Sequence, residues 1–213
     1  MTSSLMPIGL FGGSFDPVHL GHLNLAKSAI DLIGLEQVRF IPLNLPAHRE
    51  ASLTRLEDRL KMLQRALRPP FFLDETEISR GGVSYTVETL QSFRDEYPTR
   101  SLCLLLGKDS FDQLDSWRSY DKLLRIVNIV VAGRPNSHNG IPAHLKSTFE
   151  SALSKSVTSL HTKKCGVLYF LEAPLMDVSS TKIRCNILKG ESLMGLVSEE
   201  VAHFIEQKNL YQL

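Results

Sequence analysis

Six short apolar runs constrain the fold of this chain more than any other feature. They lie at 5–10, 38–41, 71–73, 102–106, 126–132 and 167–171. The runs are apolar throughout rather than alternating with polar residues, which indicates strands of a parallel sheet that is buried on both faces. The stretches between them favour helices at 20–33, 55–67, 85–97, 143–155, 180–188 and 198–207. Strands that alternate with helices predict an α/β fold: a doubly wound parallel sheet with helices on both faces.

Composition excludes several classes of protein. The 213 residues suffice for one domain over 1–213, without repeats or an internal boundary. A net charge of +1 gives no general attraction for nucleic acid. The three cysteines form no CxxC pair, so a disulfide framework or zinc site is not expected. Without an apolar run of about 18 residues or a charged leader, we expect a cytoplasmic protein that binds small molecules rather than membranes. Assembly into a homo-oligomer stays open.

The first candidate site follows the first apolar run, where 12–22 reads GGSFDPVHLGH. Ligands of open parallel sheets bind beyond the carboxyl ends of the strands. Gly12 and Gly13 let the backbone approach a phosphate. His19 and His22 share one face at a helix start, and Gly21 leaves that face open. The spacing is neither GxGxxG nor a P-loop, which argues against a dinucleotide cofactor.

Simpler interpretations of the two histidines remain. An isolated HxxH is equally typical of two solvated or buried histidines. Imidazoles also bind metals, although a zinc pair on a helix usually comes as HExxH with a third ligand. The second candidate site, VSSTKIR at 178–184, is by itself only a helix that Ser179 caps.

Together, the two segments resemble the signatures HxGH and ISSTxIR of the nucleotidyltransferase superfamily. The resemblance implies a Rossmann-like fold and cleavage between the α and β phosphates of a nucleoside triphosphate. It implies that His19 and His22 are catalytic, binding the triphosphate and stabilising the transition state. The residues implied for ATP binding are Gly12, Gly13, Ser14, Phe15, Gly21, Gly107, Asp109, Ser180, Thr181 and Arg184.

Four further segments resemble one family within that superfamily. They are PLNLPAH at 42–48, SYT at 84–86, GKD at 107–109 followed by the only tryptophan, and GRP at 133–135. Each alone is typical of a turn, a cap or a core anchor. In this order they resemble bacterial nicotinate-nucleotide adenylyltransferases. The residues implied for binding nicotinate mononucleotide are Asn44, His48, Tyr85, Thr86, Trp117 and Arg134.

The resemblance implies transfer of AMP from ATP to nicotinate mononucleotide, which gives nicotinate adenine dinucleotide and pyrophosphate in NAD biosynthesis. Mg²⁺ is expected with ATP, and no protein ligand for it is predicted. Three alternatives stay open. A phosphopantetheine adenylyltransferase would leave Trp117 and 84–86 unexplained. A nucleotide sensor on the same fold would not need the two histidines. An RNA-linked synthetase relative would need an anticodon-binding domain.

Overall fold

The computed structural model describes residues 6–46, 54–133, 140–174 and 176–212. Its strands are β1 (Ile8–Gly13), β2 (Gln37–Pro42), β3 (Leu45–Pro46), β4 (Phe71–Leu73), β5 (Val83–Ser84), β6 (Leu102–Gly107), β7 (Asn128–Gly133), β8 (Leu153–Ser154) and β9 (Leu168–Glu172). Its helices are α1 (Leu20–Ile33), α2 (Leu56–Ala66), α3 (Thr76–Arg80), α4 (Thr86–Glu96), α5 (Lys108–Asp112), α6 (Leu123–Ile126), α7 (Lys146–Phe149), α8 (Thr158–Thr162), α9 (Ser180–Leu188) and α10 (Glu199–Gln207).

Seven strands form one parallel sheet in the order β4-β2-β1-β6-β7-β9-β8. From β1 the chain adds β2 and then β4 on one side of the sheet. It then returns to the other side of β1, where β6 is followed outward by β7, β9 and β8. Strands β3 and β5 form a separate parallel pair beyond β2. The sequence-based prediction of a parallel α/β sheet is confirmed.

Alternate residues of the central strands enter two separate cores. Leu102, Leu104 and Leu106 of β6 face one core, whereas Cys103 and Leu105 face the other. The first core is covered by α4, α5, α6 and α7, and the second by α1, α2, α8, α9 and α10. Burial on both faces explains why the strands are apolar throughout.

Strand β1 differs from its prediction at the end that matters for function. The strand was expected at 5–10, but it runs to Gly13, with Gly12 paired to Ile41 and Gly13 to Pro42. The two glycines are therefore the carboxyl end of the strand. Helix α1 spans the residues predicted for it, and Gly34 ends it with a φ of 78°.

Two predictions about helices are wrong. The helix expected at 143–155 is broken into the short helix α7, flanked by 3-10 turns at Ala143–Leu145 and Glu150–Ala152, because 153–154 pairs with the open edge of β9. The segment at 84–86, which alone is typical of a cap, does not cap α4 through Ser84, because the N-cap residue is Tyr85 and no side chain caps the helix. The Ser84 hydroxyl instead accepts the Asn44 N–H at 3.0 Å.

Candidate active site

The sheet changes its direction of growth at β1, because β2 and β6 lie on either side of it. Helices leave two such strands on opposite faces, so a crevice opens at their carboxyl ends. Gly13 ends β1 and Gly107 ends β6 at this edge. The crevice is therefore bordered by two of the segments predicted to bind ATP.

His19 and His22 form a reciprocal cap at the start of α1. The His22 N–H donates to His19 Nδ1 at 3.3 Å, and the His19 N–H donates to His22 Nδ1 at 3.2 Å. The two rings stack with centroids 3.6 Å apart. This is the geometry of a capping box, with imidazoles in place of the usual hydroxyl and carboxylate. The predicted shared face of the two histidines is confirmed.

Burial keeps both imidazoles neutral near pH 7. It lowers the pKa of His19 from 6.5 to about 4. Burial and, secondarily, the neighbouring His19 lower the pKa of His22 well below its ordinary value. Because each Nδ1 accepts a backbone N–H, the single ring proton of each neutral imidazole lies on Nε2. The pair therefore presents two Nε2–H donors at a helix N-terminus, a geometry suited to phosphate oxygens.

The second predicted motif packs directly against the first. Ser179 caps α9 by accepting the Lys182 N–H at 3.1 Å, as predicted. The Ser180 hydroxyl donates to the Pro17 carbonyl at 3.0 Å. A Cβ on Gly21 would lie 2.8 Å from Val178 Cγ1 and 3.0 Å from His19 Nδ1. Gly21 is thus required for the close contact of the two motifs, a reason that the sequence interpretation did not include.

Arg184 contacts both the first motif and Thr181 of its own helix. The Arg184 guanidinium donates to the Asp16 carbonyl at 2.7 Å and to Thr181 Oγ1 at 3.2 Å. Phe15 has a buried ring that contacts His22 edge-on, with centroids 5.0 Å apart. Only the backbone of Phe15 can therefore face a ligand.

Four of the residues predicted for the acceptor substrate lie on neighbouring segments. Tyr85 and Thr86 lie at the N-terminus of α4, and Trp117 follows the 3-10 turn at Leu114–Ser116, partly buried against the core. Arg118 joins these segments, because its guanidinium lies 4.4 Å from the Tyr85 ring centroid. Asn44 lies beside the Tyr85 segment: its N–H donates to the Ser84 hydroxyl at 3.0 Å, and its side-chain amide donates to the Gly82 carbonyl at 2.9 Å.

Other predicted residues border the crevice or lie outside the described residues. Gly107 is the N-cap of α5, and Asp109 lies exposed in the first turn of that helix. Beside them, an open pocket of about 380 Å³ is lined by Lys108, Asp112, Gly140, Ile141, Pro142 and His144. His48 and Arg134 lie outside the described residues.

The sequence interpretation missed a buried network behind the 14–17 loop. Arg59 of α2 is only 2% exposed and donates to the carbonyls of Ser14 and Leu43, at 2.8 and 2.9 Å. Burial lowers its pKa, an effect that Asp16 and Tyr211 oppose. The Tyr211 hydroxyl donates to the Asp16 carboxylate at 2.7 Å. A charged residue on the inner face of a helix was the only sequence signal for this network.

The part of the chain that the structure describes contains neither a three-ligand metal cluster nor a membrane-spanning helix. No three His, Cys, Asp or Glu side chains come together there as a metal site. None of the helices described is both long enough and apolar enough to cross a membrane.

Comparison with known proteins decides the family. Residues 10–186 match the cytidylyltransferase-like family. The chain is 36% identical to a probable nicotinate-nucleotide adenylyltransferase of Aeromonas hydrophila, over 97% of each chain. It is 37% identical to one from Methylococcus capsulatus, over 96% of this chain and 99% of the relative. The chain belongs to the nicotinate-nucleotide adenylyltransferase family. These relatives support the first interpretation of the sequence rather than phosphopantetheine adenylyltransferase.

Solved structures confirm the Rossmann-like α/β fold. The nicotinic acid mononucleotide adenylyltransferase of Plasmodium falciparum, solved in complex with NaAD, aligns with a TM-score of 0.72. It shares 18% identity and covers 97% of each chain. The same enzyme in complex with APC aligns with a TM-score of 0.69 at 19% identity. At this level of identity the likeness concerns the fold alone.

Proposed function

We propose that this chain, acting as one domain over 1–213, transfers AMP from ATP to nicotinate mononucleotide. The observation that carries the proposal is the pair of neutral imidazoles at the start of α1, fixed by reciprocal hydrogen bonds beside the crevice. Full-length relatives of the same named activity support the choice of acceptor.

In the proposed reaction, a phosphate oxygen of nicotinate mononucleotide attacks the α-phosphorus of ATP in line. A bond forms between that oxygen and the α-phosphorus, while the bond to the oxygen bridging the α- and β-phosphorus breaks. Pyrophosphate leaves with the electron pair, and nicotinate adenine dinucleotide remains. No residue becomes covalently attached, so catalysis rests on positioning and charge stabilisation.

The chain supplies hydrogen-bond donors for the triphosphate. The Nε2–H groups of His19 and His22 stabilise negative charge as it develops on the leaving pyrophosphate. The N-terminus of α9, with Ser180 and Thr181, faces the first motif and offers backbone N–H groups to phosphate oxygens. Because these donors are fixed before ATP arrives, little reorganisation is needed during the reaction.

We assign recognition of the nicotinate group to the N-terminus of α4 and to Trp117. Tyr85 makes no side-chain cap there, so the first N–H groups of the helix remain available to a carboxylate. The indole of Trp117 offers an apolar face for the pyridine ring. Arg118, stacked on Tyr85, adds positive charge nearby. Asn44 and His48 would contact the phosphate of the mononucleotide, and Arg134 would lie near both nucleotides.

Mg²⁺ would bind mainly to triphosphate oxygens and water, and would neutralise part of their charge. Asp109, exposed beside the crevice, would contact ribose hydroxyls.

A panel of acceptors tests this proposal. Purified protein is incubated with ATP, Mg²⁺ and either nicotinate mononucleotide, nicotinamide mononucleotide or phosphopantetheine, and pyrophosphate release is measured. The proposal predicts the fastest release with nicotinate mononucleotide. Fastest release with phosphopantetheine, or none with any acceptor, would contradict it.

A further inference from the structure

Side chains from three distant segments hold the 14–17 loop from behind. Arg59 of α2 donates to the Ser14 carbonyl, and Arg184 of α9 donates to the Asp16 carbonyl. The third contact comes from the end of the chain, where the Tyr211 hydroxyl donates to the Asp16 carboxylate at 2.7 Å across 195 positions. The loop is thus held through the carbonyls of Ser14 and Asp16 and through the Asp16 carboxylate.

The orientation of those N–H groups follows from peptide geometry. In a trans peptide the carbonyl and the next N–H point in opposite directions. The Gly13 carbonyl accepts the Leu43 N–H at 3.0 Å, and the Ser14 carbonyl accepts Arg59. The N–H groups of Ser14 and Phe15 therefore point away from β2 and α2. Neither has an acceptor among the described residues. Two such adjacent donors form a cradle for a phosphate.

Backbone strain occurs at both ends of the hydrogen bond between Tyr211 and Asp16. Tyr211 has a φ of 64° and Asn209 a φ of 49°, while Phe15, next to Asp16, has a φ of 48°. Non-glycine residues adopt this left-handed region at a cost, so the surrounding contacts must stabilise it. The Tyr211 ring packs against the core, and burial, with Asp16 second, raises the pKa of its hydroxyl. The hydroxyl therefore remains a donor at any working pH.

We propose that Tyr211 is a positioning residue for the triphosphate. Its hydroxyl, through the Asp16 carboxylate, holds the 14–17 loop in the conformation that presents the N–H groups of Ser14 and Phe15 to phosphate oxygens. The inference rests on the proposed ATP-dependent function and extends it to a residue outside both sequence motifs. Because Tyr211 acts on the triphosphate side of the crevice, loss of its hydroxyl should weaken the binding of ATP and leave the binding of the acceptor unchanged.

Tyr211→Phe tests the proposal, because it removes the hydroxyl and keeps the ring. We expect KM for ATP to rise about tenfold while KM for nicotinate mononucleotide stays near wild type, and the loss of one buried hydrogen bond to lower Tm by only a few degrees. Tyr169→Phe is the matched control, since Tyr169 of β9 packs against the same core. An unchanged KM for ATP would overturn the proposal. A large fall in Tm together with equal rises in both KM values would also overturn it, because that pattern indicates a merely structural role.

A double-mutant cycle with Asp16→Ala, which removes the acceptor of the Tyr211 hydroxyl, tests whether the two residues act together. If Tyr211 acts through Asp16, the second substitution should have little further effect on KM for ATP. Fully additive effects would overturn the proposal.

Binding separates this proposal from the proposed function. The affinity for an ATP analogue with an uncleavable α–β bridge is measured by calorimetry, without any acceptor. If wild type binds the analogue but forms no dinucleotide from ATP and nicotinate mononucleotide in a separate assay, the proposed function fails. About tenfold weaker binding of the analogue by Tyr211→Phe would still support the positioning role. Equal binding by the two proteins would overturn it.

Discussion

At the scale of single residues, His19 and His22 divide two tasks between their ring nitrogens. Nδ1 of each ring holds the start of α1, and Nε2 of each ring is left to donate to a ligand. The same hydrogen bonds that begin the helix therefore fix the tautomer that the chemistry requires. Asn or Ser could cap the helix as well, but neither places a donor where Nε2 lies.

His19→Ala and His22→Ala should each lower kcat by about 10²-fold or more, the usual effect of losing a transition-state donor. Steady-state pyrophosphate release measures the change. His19→Asn is the matched control, since asparagine restores the cap without the Nε2–H. We expect it to regain the stability lost in His19→Ala but not the activity. Near-wild-type turnover of both alanine variants would contradict the assigned role.

Acid should destabilise the free protein through His19. The folded pKa of about 4 lies below the ordinary 6.5, so the unfolded chain binds the extra proton between these values. Stability is therefore lost as the pH falls from 6.5 towards 4. At pH 5 the loss is about 2 kcal/mol for this residue. Urea denaturation at pH 7.5 and 5 should show a smaller loss for His19→Asn than for wild type; equal losses would refute the buried, neutral histidine.

At the scale of elements, the starts of α1 and α9 meet where Gly21 lies against Val178. Gly21→Ala would force a Cβ to 2.8 Å from Val178 Cγ1 and should separate the two helices. We expect a loss of about 1–3 kcal/mol in the free energy of unfolding, together with lower activity. Chemical denaturation and pyrophosphate release measure the two effects.

Val178→Ala provides the matching test of that contact. Combined with Gly21→Ala, it removes the clashing methyl and should restore part of both losses. Gly140→Ala is the control for a glycine replacement in open space, since a Cβ there meets nothing within 4 Å. If Gly21→Ala behaves like Gly140→Ala, the close contact is not needed.

The sequence predicted helices correctly where the spacing of apolar residues and an N-cap residue agree. Helix α9 begins and ends as predicted, because Ser179 supplies a cap that does not depend on distant residues. The leucines of α2 indicate its buried face only in part. Leu63 is buried, but Arg59 and Met62 are buried beside it. Arg59 can be buried there only because the carbonyls of Ser14 and Leu43 accept hydrogen bonds from its guanidinium. No local sequence pattern contains that information.

At the scale of the whole molecule, the first strand and the C-terminal segments meet at the carboxyl ends of the central strands. The glycines of β1, the N-terminus of α9 and the final turn at Tyr211 converge on the 14–17 loop. The sequence motifs identified the first two, because they carry recognisable spacings. Tyr211 could not be found in this way, since its partner Asp16 lies 195 positions away.

Removal of divalent cations should stop catalysis without unfolding the protein. The cation is expected on the triphosphate, so its removal should affect the nucleotide complex and leave the fold of the free protein intact. We predict that EDTA abolishes pyrophosphate release, that added Mg²⁺ restores it, and that Tm measured without ATP is unchanged. A Tm that collapses in EDTA would indicate a structural metal instead.

The preference for an acid over an amide tests the central claim most directly. A helix N-terminus offers N–H donors, which a carboxylate can accept, whereas the NH₂ of an amide would meet further donors. One unsatisfied group of this kind costs about 1–3 kcal/mol, which corresponds to about one to two decades in kcat/KM. Trp117→Ala should weaken the binding of both mononucleotides, because each stacks its pyridine ring on the indole. Trp117→Phe should restore much of that binding.

The measurement is therefore kcat/KM for nicotinate and nicotinamide mononucleotide at saturating ATP, with wild type and both Trp117 variants. The account predicts that wild type favours the acid by one to two decades or more. Equal efficiency on the two mononucleotides would contradict it.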